Sequence, residues 1–240
     1  MSATMPALLA MSGRGRLPYA LLHRLPLYVH ALQSLAAAGD HHLMLAVDEQ
    51  DRDRVTREVR RVGLVADIPA GGGWWARLRE IAAEGSGLVV HDALCPLASA
   101  DFIRGLRQDA AARPEVSLIA YRPVTDTVKT VVDHRIQGTI DREGLAALVS
   151  PAVVAPGVLA AAVASDDPPP VDDFARLALW LRERGEVELV RAPSLARRVD
   201  DASAVNLLEC VDELARQVRR EPGGAAAAGA VTGAAGPGTR

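Results

Sequence analysis

Short apolar runs that alternate with helical patterns constrain the fold of this chain more than any other feature of its sequence. The apolar runs lie at residues 7–10, 42–47, 63–67, 87–90, 116–120 and 187–191. Amphipathic stretches separate them, among others at residues 25–38, 51–62, 98–111 and 202–219. Strands that alternate with helices form mostly parallel sheets that are covered on both faces. The pattern therefore predicts an α/β, Rossmann-like fold.

Length and composition indicate one large domain. The chain has 240 residues, of which 49% are hydrophobic, and this is enough to build a sizeable core. We predict that the domain covers residues 1–220. The remaining segment, residues 221–240, consists largely of glycine, alanine and proline and has almost nothing to bury, so its composition predicts disorder.

The charge and the aromatic content argue against several classes of partner. A formal net charge of −3 provides no broad cationic surface for nucleic acid, and 3% aromatic residues are too few for a base-stacking surface. Cys95 and Cys210 lack metal-ligand spacing, and we find neither a secretory signal nor an apolar run of membrane-spanning length. We therefore expect a cytoplasmic protein that binds neither nucleic acid nor a membrane.

One apolar run, residues 87–90, leads directly into His91 and Asp92. This is typical of a buried parallel strand that presents an acid at its carboxyl end, where ligands bind in open α/β sheets. Asp92 is accordingly a candidate for binding a metal ion or a substrate hydroxyl. The alternative is that Asp92 caps the following helix. Cys95 is interpreted as a small packed thiol.

A glycine-containing loop follows the first predicted strand, and it reads Ser12-Gly13-Arg14-Gly15-Arg16. Glycines after a strand let backbone N–H groups come close to phosphate oxygens. An ordinary turn explains such a short motif equally well.

Residues 123–145 interrupt the apolar pattern with short β-favouring runs and indicate a segment that projects from the domain. Its polar side chains could converge on an anion: Thr125 and Thr127 offer hydroxyls, Lys129 a point charge and Arg142 a planar guanidinium. Lys129 is the only lysine in the chain. The alternative is that these residues belong to solvated strands.

These segments resemble one known family at two places in the correct order. Residues 123–129 and 138–142, with Leu145, resemble the arm of the 2-C-methyl-D-erythritol 4-phosphate cytidylyltransferases and their ribitol-5-phosphate relatives, and residues 90–93 resemble a second motif of that family. The resemblance implies a nucleotide-diphospho-sugar-transferase-like fold with a β-arm at about residues 123–148. It also implies an isoprenoid-biosynthesis transferase that moves a cytidylyl group from CTP to a polyol phosphate, with 2-C-methyl-D-erythritol 4-phosphate as the first candidate, and releases pyrophosphate. Mg²⁺ bridging the triphosphate and a homodimer formed through the arm are further implications.

The resemblance also implies roles for individual residues. The nucleotide would be bound by Ser12, Gly13, Gly15, Gly72 and Gly73. The substrate would be bound by Asp92, Thr127, Lys129 and Arg142. Asp92 would also bind the metal ion, and Arg16 and Arg198 would be the catalytic cations. Trp74 and Trp75, next to the second glycine pair, either stack on a base or cover the edge of the core.

The chain departs from the family pattern where cations are expected. Tyr19 stands in place of a lysine, Cys95 in place of an arginine, and no serine follows Gly72 and Gly73. A cation near the attacked phosphate contributes a few kcal/mol to the transition state, of the order of 3 kcal/mol. Arg14 or Arg16 could replace the lysine. The departures favour a second hypothesis, a degenerate paralogue that acts as a binding or regulatory subunit.

Overall fold

The computed structural model describes residues 5–39, 42–82 and 85–220. Its strands are β1 (Ala7–Ala10), β2 (Leu21–Leu22), β3 (Leu25–Pro26), β4 (Leu43–Ala46), β5 (Leu88–Asp92), β6 (Val116–Pro123), β7 (Val128–Val132), β8 (Arg135–Ile140), β9 (Ala146–Val154) and β10 (Glu186–Arg191). Its α-helices are α1 (Leu27–Ala37), α2 (Arg52–Arg61), α3 (Trp74–Ile81), α4 (Ala100–Ala112), α5 (Pro156–Ser165), α6 (Phe174–Arg182) and α7 (Ala202–Arg220). The tail predicted to be disordered, residues 221–240, lies outside the described residues.

A six-stranded sheet forms the centre of the fold, with the strand order β10-β6-β9-β5-β1-β4. β1 runs parallel to β4 and β5, and β10 runs parallel to β6. β9 is antiparallel to both of its neighbours, β5 and β6. The prediction of a mostly parallel Rossmann-like sheet is confirmed. The carboxyl ends of β1, β5, β6 and β10 therefore lie at the same edge of the sheet.

Side chains of the central strands alternate between two hydrophobic layers, one on each face of the sheet. Leu9 packs in a cluster with residues of α1, α2 and α4, whereas Leu8 packs in a cluster with residues of α3, α5 and α6. Both clusters consist mainly of buried aliphatic side chains. Burial on both faces explains why the strands read as continuous apolar runs in the sequence.

The prediction of a strand at residues 63–67 is wrong. Only Asp67 forms a bridge, to Met44, through backbone hydrogen bonds of 2.8 and 2.9 Å to the flanking residues of β4. Gly63 adopts φ +74° and turns the chain after α2, and Val65 is 89% exposed. The apolar pattern fails here because the segment touches the sheet at one residue and then leaves it.

The predicted β-arm is present as a separate antiparallel hairpin of β7 and β8. Asp133 and His134 form its turn, with φ of +48° and +61°. Most of its side chains are exposed. Among the described residues, no helix has the length and apolar character needed to cross a membrane.

Candidate active site

The glycine loop after β1 packs against the segment that precedes α6. Gly13 and Gly15 adopt φ of +76° and +56°, a region in which a side chain is strained. A Cβ on Gly13 would lie 3.4 Å from the Cβ of Asp172. The Ser12 N–H donates to the Ala46 carbonyl at 2.9 Å, so this amide belongs to the fold and is not available to a phosphate.

Arg14 extends from this loop into the protein and pairs with Asp92 at the end of β5. Its Nε donates to Oδ1 at 2.6 Å and one terminal nitrogen donates to Oδ2 at 3.1 Å, and both side chains are only 2% exposed. Further donors reach the carbonyls of Ser12 at 2.8 Å and Val171 at 2.9 Å. Arg14 therefore connects three segments, and the structure does not favour it as a replacement for the missing lysine.

Asp92 has additional donors around its carboxylate. The Leu94 N–H donates to Oδ1 at 2.9 Å, and the Arg198 Nε donates to Oδ2 at 3.4 Å. The alternative that Asp92 caps the next helix is wrong, because Ser99 accepts the N-terminal hydrogen bond of α4. Mg²⁺ bound by Asp92 stays a prediction. The geometry does not fit it, since both carboxylate oxygens already accept from charged or backbone donors.

Ser150 on β9 supports the same strand end from the neighbouring strand. The Asp92 N–H donates to the Ser150 Oγ at 3.0 Å, and this Oγ lies 2.7 Å from Nδ1 of His91. Complete burial lowers the pKa of His91 to about 4, so its ring is neutral at neutral pH. Sequence reasoning missed Ser150 because the pairing of β5 with β9 is a long-range contact in a mixed sheet.

A cleft of about 580 Å³ lies at the base of the β-arm, and we call it the arginine cleft. It is lined by Arg122, Pro123, Val124, Thr125, Asp126, Ala147, Leu148, Val149, Arg197, Arg198 and Asp200. Burial and the nearby Arg197 lower the pKa of Arg122. Its three guanidinium groups face two carboxylates, which leaves an excess of positive charge. Arg122 and Arg197 were not predicted, although Arg122 directly precedes the arm motif and Arg197 precedes Arg198.

Arg198 connects the arginine cleft to the glycine-loop side of the sheet edge. A second cleft, of about 590 Å³, contains Arg198 together with Asp92, Asp172 and Asp173. Asp173 caps α6 by accepting from the N–H groups of its first turn. The structure therefore brings the predicted residues Asp92 and Arg198 together, within 3.4 Å.

The other predicted substrate residues lie on the β-arm and are not among the residues that line these two clefts, although Arg142 contacts Thr125, which lines the arginine cleft. The Lys129 ammonium donates to the Thr139 hydroxyl at 2.5 Å, and Arg142 donates to the Thr125 carbonyl. Thr127 is exposed. Substrate contacts by Thr127, Lys129 and Arg142 stay predictions.

The predicted catalytic residue Arg16 and its neighbour Tyr19 lie at the opening of the glycine loop. The Arg16 side chain is 79% exposed, and its guanidinium lies 3.4 Å from the Asp51 carboxylate. The Arg54 guanidinium lies 4.5 Å from the centroid of the Tyr19 ring. Burial, followed by the negative charge of Asp51, raises the pKa of Tyr19. Tyr19, which stands where the family pattern has a lysine, is thus a neutral phenol.

The second glycine pair, Gly72 and Gly73, and the residue Cys95 are parts of the packed fold. Gly72 ends a 3-10 turn, Ala70–Gly72, and Gly73 immediately precedes α3. Trp74 and Trp75 pack against the hydrophobic layer of α5 and α6, which favours the core-edge interpretation. Cys95 is fully buried, and burial raises its pKa to about 12, so it is no nucleophile at neutral pH.

Comparison with known proteins points to one family. The sequence model of the 2-C-methyl-D-erythritol 4-phosphate cytidylyltransferase family matches residues 13–190. The chain belongs to this family. A curated member from Acidithiobacillus ferrooxidans is 36% identical over 88 residues, which is 37% of each of the two chains. The chain thus matches little more than a third of the length of its curated relatives.

Solved structures support the fold over a longer stretch. The 2-C-methyl-D-erythritol 4-phosphate cytidylyltransferase from Thermus thermophilus superposes with a TM-score of 0.68 at 18% identity, covering 88% of this chain and 99% of that one. The 4-diphosphocytidyl-2C-methyl-D-erythritol synthase from Anaerococcus prevotii gives a TM-score of 0.68 at 16% identity, covering 87% and 96%. At these identities the likeness concerns the fold alone.

Proposed function

We propose that this protein transfers a cytidylyl group from CTP to 2-C-methyl-D-erythritol 4-phosphate and releases pyrophosphate, as a step of isoprenoid biosynthesis. In this reaction a phosphate oxygen of the polyol phosphate attacks the α-phosphorus of CTP in line. The bond to the β-phosphate oxygen breaks, and pyrophosphate leaves with its electron pair. Such chemistry requires mainly positioning and neutralisation of charge.

The arginine cleft is the observation that carries the proposal. Three arginines surround a space of about 580 Å³ at the carboxyl edge of the sheet, next to the arm that resembles the substrate-binding arm of the family. Guanidinium groups bind phosphates through two parallel N–H donors, which gives both affinity and orientation. Arg122 and Arg197 supply positive charge in a chain that lacks family cations at Tyr19 and Cys95.

Within this proposal Arg198 is the catalytic cation. It lines both clefts, so a phosphate in either one is within its reach. Gly13 and Gly15 allow a close approach of the triphosphate to the backbone, and Arg16, exposed at the opening of the loop, is a second cation for it. Asp92 holds Arg14 and Arg198 in place and does not contact the substrate phosphate itself.

A homodimer and a divalent ion complete the proposal. The exposed arm carries Thr127, Lys129 and Arg142, and these side chains would reach a substrate in the neighbouring subunit if the arms cross. Mg²⁺ would bind with the triphosphate, without a direct bond to Asp92. We expect the reaction to occur in the cytoplasm.

Pyrophosphate release from CTP in the presence of 2-C-methyl-D-erythritol 4-phosphate tests this function, with ribitol 5-phosphate as the comparison substrate. Arg198→Ala should lower kcat by about 100- to 1000-fold, the usual cost of removing one group that stabilises transition-state charge. Arg57→Ala, on the exposed face of α2, is the matched control and should leave kcat unchanged. Equal rates in all three proteins would contradict the role of Arg198.

A second candidate function is that of a binding subunit without turnover. It is favoured by the neutral Tyr19 and the buried Cys95 at positions where the family has cations. Calorimetric titration with CTP separates the two functions. Binding of CTP without release of pyrophosphate for either polyol phosphate would support the subunit function and contradict the enzymatic one.

A further inference from the structure

A second polar cluster lies on another part of the molecule, between the turn that joins β2 to β3 and the helix α7. It contains His23 from the turn and Glu209 and Glu213 from the helix. No part of the proposed cytidylyl transfer uses these residues. We propose that they bind a divalent transition-metal ion, Zn²⁺, which attaches α7 to the segment that follows the glycine loop.

The distances between the candidate ligand atoms fit one metal ion. Nδ1 of His23 lies 3.2 Å from a Glu209 carboxylate oxygen and 4.0 Å from a Glu213 carboxylate oxygen, and all three atoms lie within 4.8 Å of one another. At the tetrahedral angle, zinc bonds of about 2.0–2.2 Å place two ligand atoms about 3.4 Å apart. The Glu209 oxygen already lies near this distance from Nδ1 of His23, whereas the exposed Glu213 carboxylate has to move closer to complete the set.

The other ring nitrogen of His23 has the partner that a metal-bound imidazole requires. Nε2 lies 2.9 Å from a carboxylate oxygen of Asp212, which is buried and also pairs with Arg216 at 2.7 Å. Metal-binding histidines usually donate their second N–H to a carboxylate, which fixes the ring orientation and the tautomer. With the proton on Nε2, the lone pair of Nδ1 points at two carboxylates, and a cation at that place removes the repulsion.

The backbone positions of the ligands are fixed by the fold. Glu209, Asp212 and Glu213 are spaced i, i+3 and i+4, so they share one face of α7. The backbone N–H of His23 donates to a carboxylate oxygen of Glu209 at 2.8 Å, and His23 adopts φ +47°. Leu22 beside the turn packs in a buried cluster with residues of α7. The cluster therefore needs no large rearrangement to bind an ion.

The chemistry of the ligands selects the type of metal. One imidazole and two carboxylates suit Zn²⁺ and its neighbours in the transition series, whereas Mg²⁺ and Ca²⁺ prefer oxygen ligands alone. Three protein ligands leave the fourth position of a tetrahedral zinc ion to water. His30, whose ring lies 6.4 Å from that of His23, is no competing ligand through Nε2, which is hydrogen-bonded to the Leu22 carbonyl at 2.7 Å.

Calorimetric titration of the metal-free protein with Zn²⁺ tests the proposal. The experiment is carried out in a Cys210→Ser background, because Cys210 is an exposed thiol on the same helix. We expect one Zn²⁺ per chain, a thermal midpoint that rises with the zinc concentration, and at least 100-fold weaker binding of Mg²⁺. Co²⁺ should give the visible spectrum of nitrogen and oxygen ligation, without a thiolate charge-transfer band.

Variants of the ligands separate this site from adventitious binding. His23→Asn, chosen because asparagine tolerates positive φ, and Glu213→Gln should abolish the zinc-dependent rise in thermal midpoint. Asp212→Asn should weaken binding by about 10- to 100-fold through the orientation of His23. His42→Gln, an exposed histidine elsewhere, should bind zinc as the parent does. Absence of saturable binding, or undiminished binding by His23→Asn, would overturn the proposal.

Discussion

Two groups of charged side chains lie at the same edge of the central sheet, and they differ in how their charge is compensated. Arg14 and Asp92 are buried and neutralise each other at 2.6 Å. In the arginine cleft, Arg122 and Arg197 form no ion pair with another residue in the described parts of the chain. The first group holds the fold together, whereas the second is available to a ligand.

The comparison teaches that charge at a functional edge is not sufficient evidence of function. Asp92 occupies the position where open α/β sheets bind ligands, yet its oxygens accept from Arg14, Leu94 and Arg198. A buried ion pair costs solvation, which is offset only by close geometry and complete hydrogen bonding. Arg14 meets both conditions, so this pair is a structural one.

Breaking the buried pair should have the largest effect on stability. Arg14→Met leaves the Asp92 carboxylate buried, with Arg198 as its remaining cation among the described residues, and should lower the free energy of unfolding by about 3–5 kcal/mol. Urea denaturation measures this change. The double variant Arg14→Met with Asp92→Leu should recover most of the loss, because it leaves no unpaired charge.

Arg16→Met is the matched control for this experiment. Its guanidinium is exposed and has two long contacts, 3.4 Å to the Asp51 carboxylate and 5.9 Å to the centroid of the Tyr19 ring, so the free energy of unfolding should change by about 0.5 kcal/mol or less. If Arg14→Met and Arg16→Met were equally stable, the contrast between a structural and an available arginine would be lost.

The buried residues at the end of β5 also make the stability of the protein dependent on pH. The pKa of His91 falls from 6.5 to about 4 on folding, because burial disfavours the charged ring. Between these values the unfolded chain binds a proton that the folded protein does not. Stability that is fully present above pH 6.5 should therefore decrease as the pH falls, by about 3 kcal/mol at pH 4.

His91→Gln isolates this contribution, since glutamine can still hydrogen-bond to Ser150 but does not titrate. The difference in unfolding free energy between the parent and this variant should change steadily between pH 6.5 and pH 4. The carboxylates that titrate in the same range are common to both proteins and cancel. A difference that stays constant with pH would show that His91 is not buried in its neutral form.

The sequence allowed the fold to be predicted because burial on both faces produces uninterrupted apolar runs in β1, β4 and β5. The arm was predictable from its polar alternation and its family motif. Residues 63–67 were mispredicted because a short apolar run carries no information about whether a neighbouring strand is present.

The candidate site was predicted only in part. Arg198 and Asp92 were found because each belongs to a motif with a fixed place on a strand or loop. The residues that bind Asp92 and thereby decide its chemistry were not predicted as its partners. Arg14 and Asp92 are 78 residues apart in sequence, and Asp92 and Ser150 are 58 apart. Whether a cation is neutralised or available depends on such long-range contacts, which residue type and local spacing do not encode.

For the arginine cleft we predict the smallest effect, a change in ligand affinity that depends on salt concentration. Arg122→Ala and Arg197→Ala should each weaken binding of CTP or pyrophosphate by about tenfold, the equivalent of about 1.4 kcal/mol for one lost charged contact. Because these side chains are at least partly exposed, raising the salt concentration should weaken binding to the parent protein more than to either variant. Calorimetric titrations at low and high salt measure both effects, with Arg57→Ala as control.

The unfolding free energy of these variants should stay near that of the parent, in contrast to Arg14→Met. If both variants instead bind pyrophosphate like the parent at every salt concentration, the arginine cleft does not bind phosphate, and the phosphate site must be sought at the glycine loop.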